Sequence, residues 1–128
     1  MFGSQNKKSV VIGLGDPGAD RDITFWRAPA ACEVLAAYAT DSVGLAAGTA
    51  NYFSVALYNG GSSGTATTAL GGTVGGSGVA WTVSVAKALT ISEGTLAEGD
   101  FAWIRYDETG TCAQNLTIQL DYVLGVGA

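Results

Sequence analysis

The first feature of this sequence that could do chemistry is a glycine motif. Residues 13–18 read GLGDPG and follow the apolar run VVI at residues 10–12. They match the G-x-G-x-x-G pattern of dinucleotide-binding loops, and Glu33 stands near the usual place of the ribose-binding acid. Such a loop holds a pyrophosphate only when a helix begins inside it, whereas residues 19–22, ADRD, lead into a strand-like alternation. We therefore interpret the motif as a plain turn and expect no bound cofactor.

Side chains that usually perform catalysis are scarce. The chain contains no histidine, which removes the common general base, the Ser-His-Asp and Cys-His arrangements and most transition-metal sites. The candidate carboxylate pairs are Asp100 with Asp107 and Asp20 with Asp22. Each pair lies in turn sequence, where acidic residues usually cap or solubilise, and Asp16, Asp20 and Asp22 lack the spacing of an EF-hand calcium loop. We expect no catalytic residue, no metal ion and no enzymatic activity.

The two cysteines, Cys32 and Cys112, lie far apart in the sequence. They are consistent with a disulfide that closes a long loop or with two free buried thiols. The N-terminal sequence MFGSQNKK lacks the apolar stretch of a signal peptide. Because disulfides belong mainly to exported proteins, we favour free thiols and expect a soluble protein that is not exported.

The charge distribution and the hydropathy of the chain argue against two classes of partner, nucleic acids and membranes. The net charge is −5, and the basic residues are scattered along the chain as Lys7, Lys8, Arg21, Arg27, Lys87 and Arg105. A nucleic-acid groove needs clustered positive charge, and a membrane span needs an apolar run of about 20 residues. Neither occurs in this sequence, so we expect no nucleic-acid partner and no membrane partner.

Aromatic side chains are the remaining candidates for a function, because they supply surface for sugar stacking or for a protein interface. The chain has three Trp and five Tyr, and aromatic residues at strand positions more often belong to a core. Tyr52 and Tyr58 are better candidates for exposure, because they alternate with the apolar Val55 and Leu57. Together with Ser54 they are predicted to form a packed face between subunits.

Short strands are the elements that must position these residues. The chain has 128 residues, of which 48% are apolar and 19 are glycine, a composition typical of a folded domain with tight turns. Period-two alternation predicts strands at residues 9–12, 22–28, 51–59, 81–91, 101–106 and 116–124. Residues 31–40 fit a helix of about two and a half turns or a strand, and their poor helix capping favours the strand.

Some of these predictions concern particular faces and loops. Within residues 22–28, Thr24 and Trp26 are predicted to share one face. Residues 81–85 are predicted to alternate as part of a strand. Residues 65–80 are predicted to form an irregular strand with an exposed loop at the glycine-rich residues 71–78.

About seven to nine strands with turn signals between them predict an all-β fold, an antiparallel two-sheet sandwich or jelly roll. Residues 1–8 are polar and unpatterned, and we interpret them as a flexible tail or a docking arm. Residues 9–128 are predicted to form a single β-sandwich domain.

Several segments also carry a family resemblance. They are residues 23–29, ITFWRAP; 49–61, TANYFSVALYNGG; 96–101, LAEGDF; and 110–123, GTCAQNLTIQLDYV. These segments resemble the small jelly-roll decoration (cement) and head-fibre proteins of tailed bacteriophages. The likeness covers residues 20–124, and the two cysteines are not part of the pattern.

The resemblance implies a non-enzymatic virion component that is assembled in the bacterial host cytoplasm. It implies a homotrimer that binds the major capsid protein on the outer capsid surface and clamps neighbouring shell subunits. Lys7 and Lys8, on the predicted arm, are expected to reach acidic residues of the shell. The alternative is a carbohydrate- or receptor-binding β-sandwich module of a phage fibre or tail, since Trp and Tyr rings also stack on sugars.

Overall fold

A computed structural model describes residues 7–125. Within that range the chain forms nine β-strands and no helix. The strands are β1 (Lys7–Gly15), β2 (Arg21–Arg27), β3 (Cys32–Asp41), β4 (Tyr52–Asn59), β5 (Thr68–Gly75), β6 (Lys87–Leu89), β7 (Thr95–Leu96), β8 (Phe101–Thr109) and β9 (Leu116–Leu124). The all-β prediction is confirmed, and so is the strand at residues 31–40.

Two antiparallel sheets make up the fold. The five-stranded sheet has the order β1-β9-β3-β6, with β7 also paired to β3, and the four-stranded sheet has the order β2-β8-β4-β5. The pairs are therefore β1 with β9, β2 with β8, β3 with β6 and β4 with β5. The first and third of these pairs lie in the five-stranded sheet, and the second and fourth lie in the four-stranded sheet. This is the double Greek key of a jelly roll. The predicted two-sheet sandwich is confirmed.

The core lies between the two sheets and is built by alternate residues of each strand. In β4 and β9 the buried inward residues are Phe53, Val55, Leu57, Leu116, Ile118, Leu120 and Tyr122. Burying one such side chain stabilises the fold by about 1.5–3 kcal/mol. The period-two pattern that predicted β4 thus reflects a sheet with one face in the core.

The faces of β2 differ from the prediction. Thr24 pairs with Trp103, but a bulge follows, and Trp26 pairs with Ala102. The extra residue turns Trp26 towards the core, where its ring centroid lies 4.8 Å from that of Tyr122. The prediction that Thr24 and Trp26 share a face is therefore wrong, because a bulge shifts the alternation by one residue.

The predicted alternation in residues 81–85 is also wrong. Only Trp81 pairs there, in an isolated bridge with Leu45. Ser84 has a φ of 60°, a left-handed conformation that interrupts an extended strand. As a result Val83 and Val85 are each 55% exposed instead of buried.

The predicted exposed loop at residues 71–78 is partly strand, because β5 runs through its first half. Gly71 forms an antiparallel bridge with Ile91, and the Gly72 amide donates to the Thr90 carbonyl oxygen at 2.7 Å. A Cβ at Gly71 would lie 3.1 Å from that same oxygen, so the glycine permits the close approach. The prediction is corrected because the chain after β6 covers the edge of β5.

The glycine motif at residues 13–18 is a plain turn, as interpreted. Gly13 and Gly15 lie at the end of β1, Gly15 and Gly18 have φ values of 68° and 77°, and the chain then enters β2. A helix N-terminus that would receive a pyrophosphate does not occur in the described part of the chain.

The two cysteines are free and buried, which confirms the favoured interpretation. Cys32 begins β3, opposite Leu124, whereas Cys112 precedes Leu116, which pairs with Asp41 at the other end of β3. At about 3.3 Å per residue the two thiols lie near opposite ends of the sandwich, too far apart for a disulfide. Burial raises the pKa of both thiols.

Lys7 and Lys8 do not belong to an arm. Both lie in β1, where they pair with Val123 and Tyr122 of β9. The prediction for these two residues is corrected, because the strand begins earlier than its apolar residues indicate. The rest of the predicted arm, residues 1–6, lies outside the described residues.

Candidate interaction surface

The residues predicted to form one interface lie on two different sheets. Tyr52, Ser54 and Tyr58 lie on β4 in the four-stranded sheet, whereas Lys7 and Lys8 lie on β1 in the five-stranded sheet. The structure therefore does not bring the five together, and the two groups are described separately.

Tyr52, Ser54 and Tyr58 share the outer face of the four-stranded sheet. Phe53 and Leu57 point into the core between them, so the alternate residues must point outward. All three outward residues are half-buried. The predicted orientation of these residues is confirmed.

Tyr58 belongs to a cluster that the sequence did not reveal. Its ring stacks on that of Trp103 in β8, with centroids 4.4 Å apart and planes inclined by 16°. The guanidinium carbon of Arg105, on the same strand as Trp103, lies 5.3 Å from the Tyr58 centroid and 5.2 Å from the Trp103 centroid. The guanidinium thus lies over the faces of both rings, the geometry of a cation–π contact. We call Asp22, Tyr58, Trp103 and Arg105 the stacked cluster.

Asp22 fixes the guanidinium of Arg105. The two residues are directly opposite in the pairing of β2 with β8, and Arg105 Nε donates to Asp22 Oδ1 at 3.0 Å while Nη2 donates to Oδ2 at 3.4 Å. These hydrogen bonds raise the pKa of Arg105 further above its ordinary value. An exposed ion pair adds little stability, so its main effect is to hold the guanidinium in one orientation.

Trp103 is buried although it lies on an outer face. Its side chain is 4% exposed, because the loop between β4 and β5 folds over it and the Ala66 carbonyl oxygen accepts a hydrogen bond from Nε1 at 2.9 Å. The same loop is tied to β8 by the Gly60 amide, which donates to the Phe101 carbonyl oxygen at 2.7 Å. Tyr58, Arg105 and the exposed Asp22 are therefore the members of the stacked cluster that offer an organised surface to a partner.

Trp103→Phe tests whether the hydrogen bond from Trp103 to Ala66 holds the loop between β4 and β5 in place. The substitution keeps an aromatic ring against Tyr58 but removes the donor to Ala66, so we expect a loss of about 1 kcal/mol in unfolding free energy. Hydrogen–deuterium exchange should become faster in residues 60–66. Tyr58→Phe is the control, because its ring stays and its hydroxyl makes no hydrogen bond to the described residues. Unchanged exchange in Trp103→Phe would show that the loop does not depend on this bond.

Lys7 faces a polar cluster on the outer face of the five-stranded sheet. Its Nζ lies 3.8 Å from Asp121 Oδ2, and Asp121 Oδ1 accepts hydrogen bonds from Ser9 Oγ at 2.6 Å and from Gln119 Nε2 at 3.0 Å. The hydrogen bond from Ser9, followed by that from Gln119, lowers the pKa of the Asp121 carboxyl. Both lysines are exposed, and Lys7 is directed at its own sheet.

Ser9→Ala is expected to raise the pKa of Asp121 towards the ordinary aspartate value of about 3.9. Because the folded-state pKa is lowered, the carboxylate contributes stability that is present above the unfolded pKa and is lost as pH falls through the folded pKa. The variant should therefore lose stability at neutral pH and show a smaller further loss in acid. Carbon-detected NMR titration of Asp121 and urea unfolding at several pH values measure both effects. Ser77→Ala, at an exposed loop position, should change neither.

Three of the four carboxylates considered for catalysis, Asp20, Asp22 and Asp100, accept structural hydrogen bonds, and Asp100 Oδ2 accepts that of the Ala97 amide at 3.0 Å. Asp22 binds Arg105, and Asp20 Oδ1 accepts the Glu108 amide at 2.7 Å. Glu108 in turn accepts a hydrogen bond from the Tyr106 hydroxyl at 2.7 Å, and burial raises the pKa of that tyrosine. Among residues 7–125, no three potential ligands of the His, Cys, Asp and Glu types lie together to hold a metal ion. No helix able to cross a membrane occurs in the same range.

Comparisons with known proteins add little to this picture. No family model and no curated protein matches the chain. A solved structure described as that of the infectious bursal disease virus Gx strain is similar, with a TM-score of 0.38 and 10% sequence identity. The similarity covers 94% of this chain and 33% of the other. A TM-score of this size assigns no function.

Proposed function

We propose that this chain is a non-enzymatic virion structural protein, a decoration or cement protein of a tailed-bacteriophage capsid. It binds the major capsid protein on the outer capsid surface and stabilises contacts between shell subunits, after assembly in the host cytoplasm. The observation that carries the proposal is the stacked cluster on the outer face of the four-stranded sheet. The family resemblance of residues 20–124 supplies the identity of the partner, and its homotrimer stays a prediction.

The stacked cluster has the composition of a protein-binding site. Tyr, Trp and Arg are the residue types that most often dominate binding energy at interfaces. Tyr58 is held by Trp103 and Arg105 by Asp22, so little side-chain freedom is lost when a partner binds. The jelly roll behind them supplies a rigid support.

The negative net charge of the chain also favours a partner with a basic surface. With a net charge of −5, the body of the protein is attracted to a basic shell surface, and this attraction speeds association. A single contact of this kind is weak. Simultaneous attachment to several shell subunits raises the overall affinity without any new contact.

The proposal is tested by mixing the protein with undecorated phage shells and sedimenting the shells. The wild-type chain is expected to pellet, and Tyr58→Ala combined with Arg105→Ala is expected to stay in the supernatant while keeping the far-ultraviolet circular-dichroism spectrum of the folded chain. Leu35→Ala is the matched control, because Leu35 is an exposed apolar residue on the other sheet. A wild-type chain that pellets with no shell, or a double variant that pellets normally, would contradict the proposal.

The same cluster also suits the alternative, a carbohydrate- or receptor-binding module. A half-exposed tyrosine ring beside a fixed guanidinium and carboxylate can stack on a sugar and hydrogen-bond its hydroxyls. Because Trp103 stacks on Tyr58, a bound glycan should quench or shift tryptophan fluorescence, and Trp103→Phe should abolish that signal. A glycan response without shell binding would favour this alternative over the capsid role.

A further inference from the structure

The edges of the two sheets are not equally protected. The five-stranded sheet ends at β1 and β6, and the four-stranded sheet ends at β2 and β5. The edge of β5 is covered, since the amides of Ser92 and Glu93 donate to the Leu70 carbonyl oxygen at 3.0 and 3.3 Å. Strand β6 has only three residues, and β2 carries a bulge and charged residues at both ends. Short length, bulges and charges are the devices by which proteins prevent strand addition at an edge.

Strand β1 has none of these devices along its centre. It is nine residues long and pairs with β9 along one edge, and no other described strand pairs with it. Residues 9–15, SVVIGLG, contain no charge and no proline, and the one register shift lies at the end, between Gly13 and Gly15. Val11, at the middle of the strand, is 59% exposed. The centre of β1 therefore offers unpaired backbone groups beside an exposed apolar side chain.

We propose that a second copy of this chain pairs with β1, antiparallel, about a twofold axis that passes beside Val11. The two five-stranded sheets then continue into each other, and the Val11 side chains contact across the axis. Such an interface uses the same surface on both copies and closes on itself, which limits assembly to a dimer. This inference does not depend on the proposed capsid function, and it predicts a dimer in place of the homotrimer that the family resemblance implies, so the measured oligomeric state decides between the two.

The distribution of charge selects the antiparallel direction. Lys7 and Lys8 both lie at the start of β1, and residues 9–15 carry no charge. With the axis at Val11, an antiparallel pair places the basic starts of the two strands at opposite ends of the interface. A parallel pair would instead place the two basic ends together, which is unfavourable.

The oligomeric state of the full chain tests the inference. Light scattering should give twice the 12.9 kDa chain mass, falling towards the single-chain mass on dilution. Val11→Lys places two like charges at the axis and should raise the dimer dissociation constant by about 100-fold. Leu35→Lys is the matched control, because Leu35 is 46% exposed on the same sheet but away from this edge. A wild-type monomer or trimer, or a Val11→Lys dimer of unchanged affinity, would overturn the inference.

Two further variants test the register and the direction of pairing. Ser9→Cys should give no disulfide-linked dimer under mild oxidation, because an antiparallel pair about Val11 places Ser9 opposite Gly13, whereas a parallel pair would place the two Ser9 residues together. Opposite residues of an antiparallel pair have Cα separations of about 4.5–5.5 Å, within the range of a disulfide. Val11→Cys should therefore form a disulfide-linked dimer under mild oxidation, and Leu35→Cys should not. A dimer that survives Val11→Lys and gives no Val11→Cys cross-link would place the interface elsewhere.

Discussion

Leu120→Asp is expected to leave the chain unfolded at room temperature. Leu120 is fully buried in β9, between Val10 of β1 and Ala37 of β3. The substitution removes the burial energy of a large apolar side chain, about 2–5 kcal/mol, and places an unpaired carboxylate in the core at a cost of several kcal/mol more. Together these losses approach the total stability of a domain, about 5–15 kcal/mol. Far-ultraviolet circular dichroism and thermal melting measure the outcome.

The control for this prediction is Leu35→Asp. It introduces the same charge at an exposed position of the same sheet, so its melting temperature should stay close to that of the wild type. Leu57→Asp, on the core face of β4, should behave like Leu120→Asp. If Leu120→Asp melts within a few degrees of the wild type, the inner and outer faces of β9 have been assigned the wrong way round.

The fold class could be predicted from the sequence because alternation is a local property of a half-buried strand. In β4, Tyr52, Ser54 and Tyr58 alternate with Val55 and Leu57, and the structure places the two sets on opposite faces. Residues 31–40 fit both a period of two and the residue preferences of a helix. The lack of a helix-capping residue favoured the strand, and the structure has a strand there.

The errors arose where contacts between distant segments decide the local structure. The bulge that turns Trp26 inward, the left-handed Ser84 and the close approach of Gly71 to Thr90 have no signature within their own segments. Each contacts a segment that is remote in sequence, which is β8 for Trp26, Asp41 for Ser84 and Thr90 for Gly71. A glycine-rich stretch such as β5 therefore resembles a loop until its partner strand is known.

The candidate site was predicted only in part, for a related reason. Tyr58 stood out because one face of its strand is clearly apolar. In residues 101–106 both faces carry bulky side chains, so alternation did not show that Trp103 and Arg105 point outward. Their partner Asp22 lies on a strand far away in sequence, and only the pairing of β2 with β8 brings it to Arg105.

Asp41→Ala is expected to be the most destabilising change at a polar residue of this chain. Asp41, at the end of β3, is fully buried. Its Oδ1 accepts the amides of Val43 at 3.1 Å and Asn115 at 3.2 Å, and its Oδ2 accepts the amide of Gly44 at 3.0 Å. The side-chain amide nitrogen of the buried Gln114 also donates to Asp41 Oδ2 and, in the same orientation, to the Gly44 carbonyl oxygen. One carboxylate thus joins the loop after β3 to the loop before β9.

Removing this carboxylate leaves three backbone donors without their partner. An unsatisfied buried donor costs about 1–3 kcal/mol, and since the loops relax in part, the total loss should be about 3–5 kcal/mol. Urea unfolding measures this loss, and hydrogen–deuterium exchange should show faster exchange at Val43, Gly44 and Asn115. Asp41→Asn keeps one acceptor oxygen and should lose less, while Glu33→Ala, exposed on the same strand, should lose almost nothing. Equal stability of Asp41→Ala and Glu33→Ala would mean that the two loops hold their positions without the carboxylate.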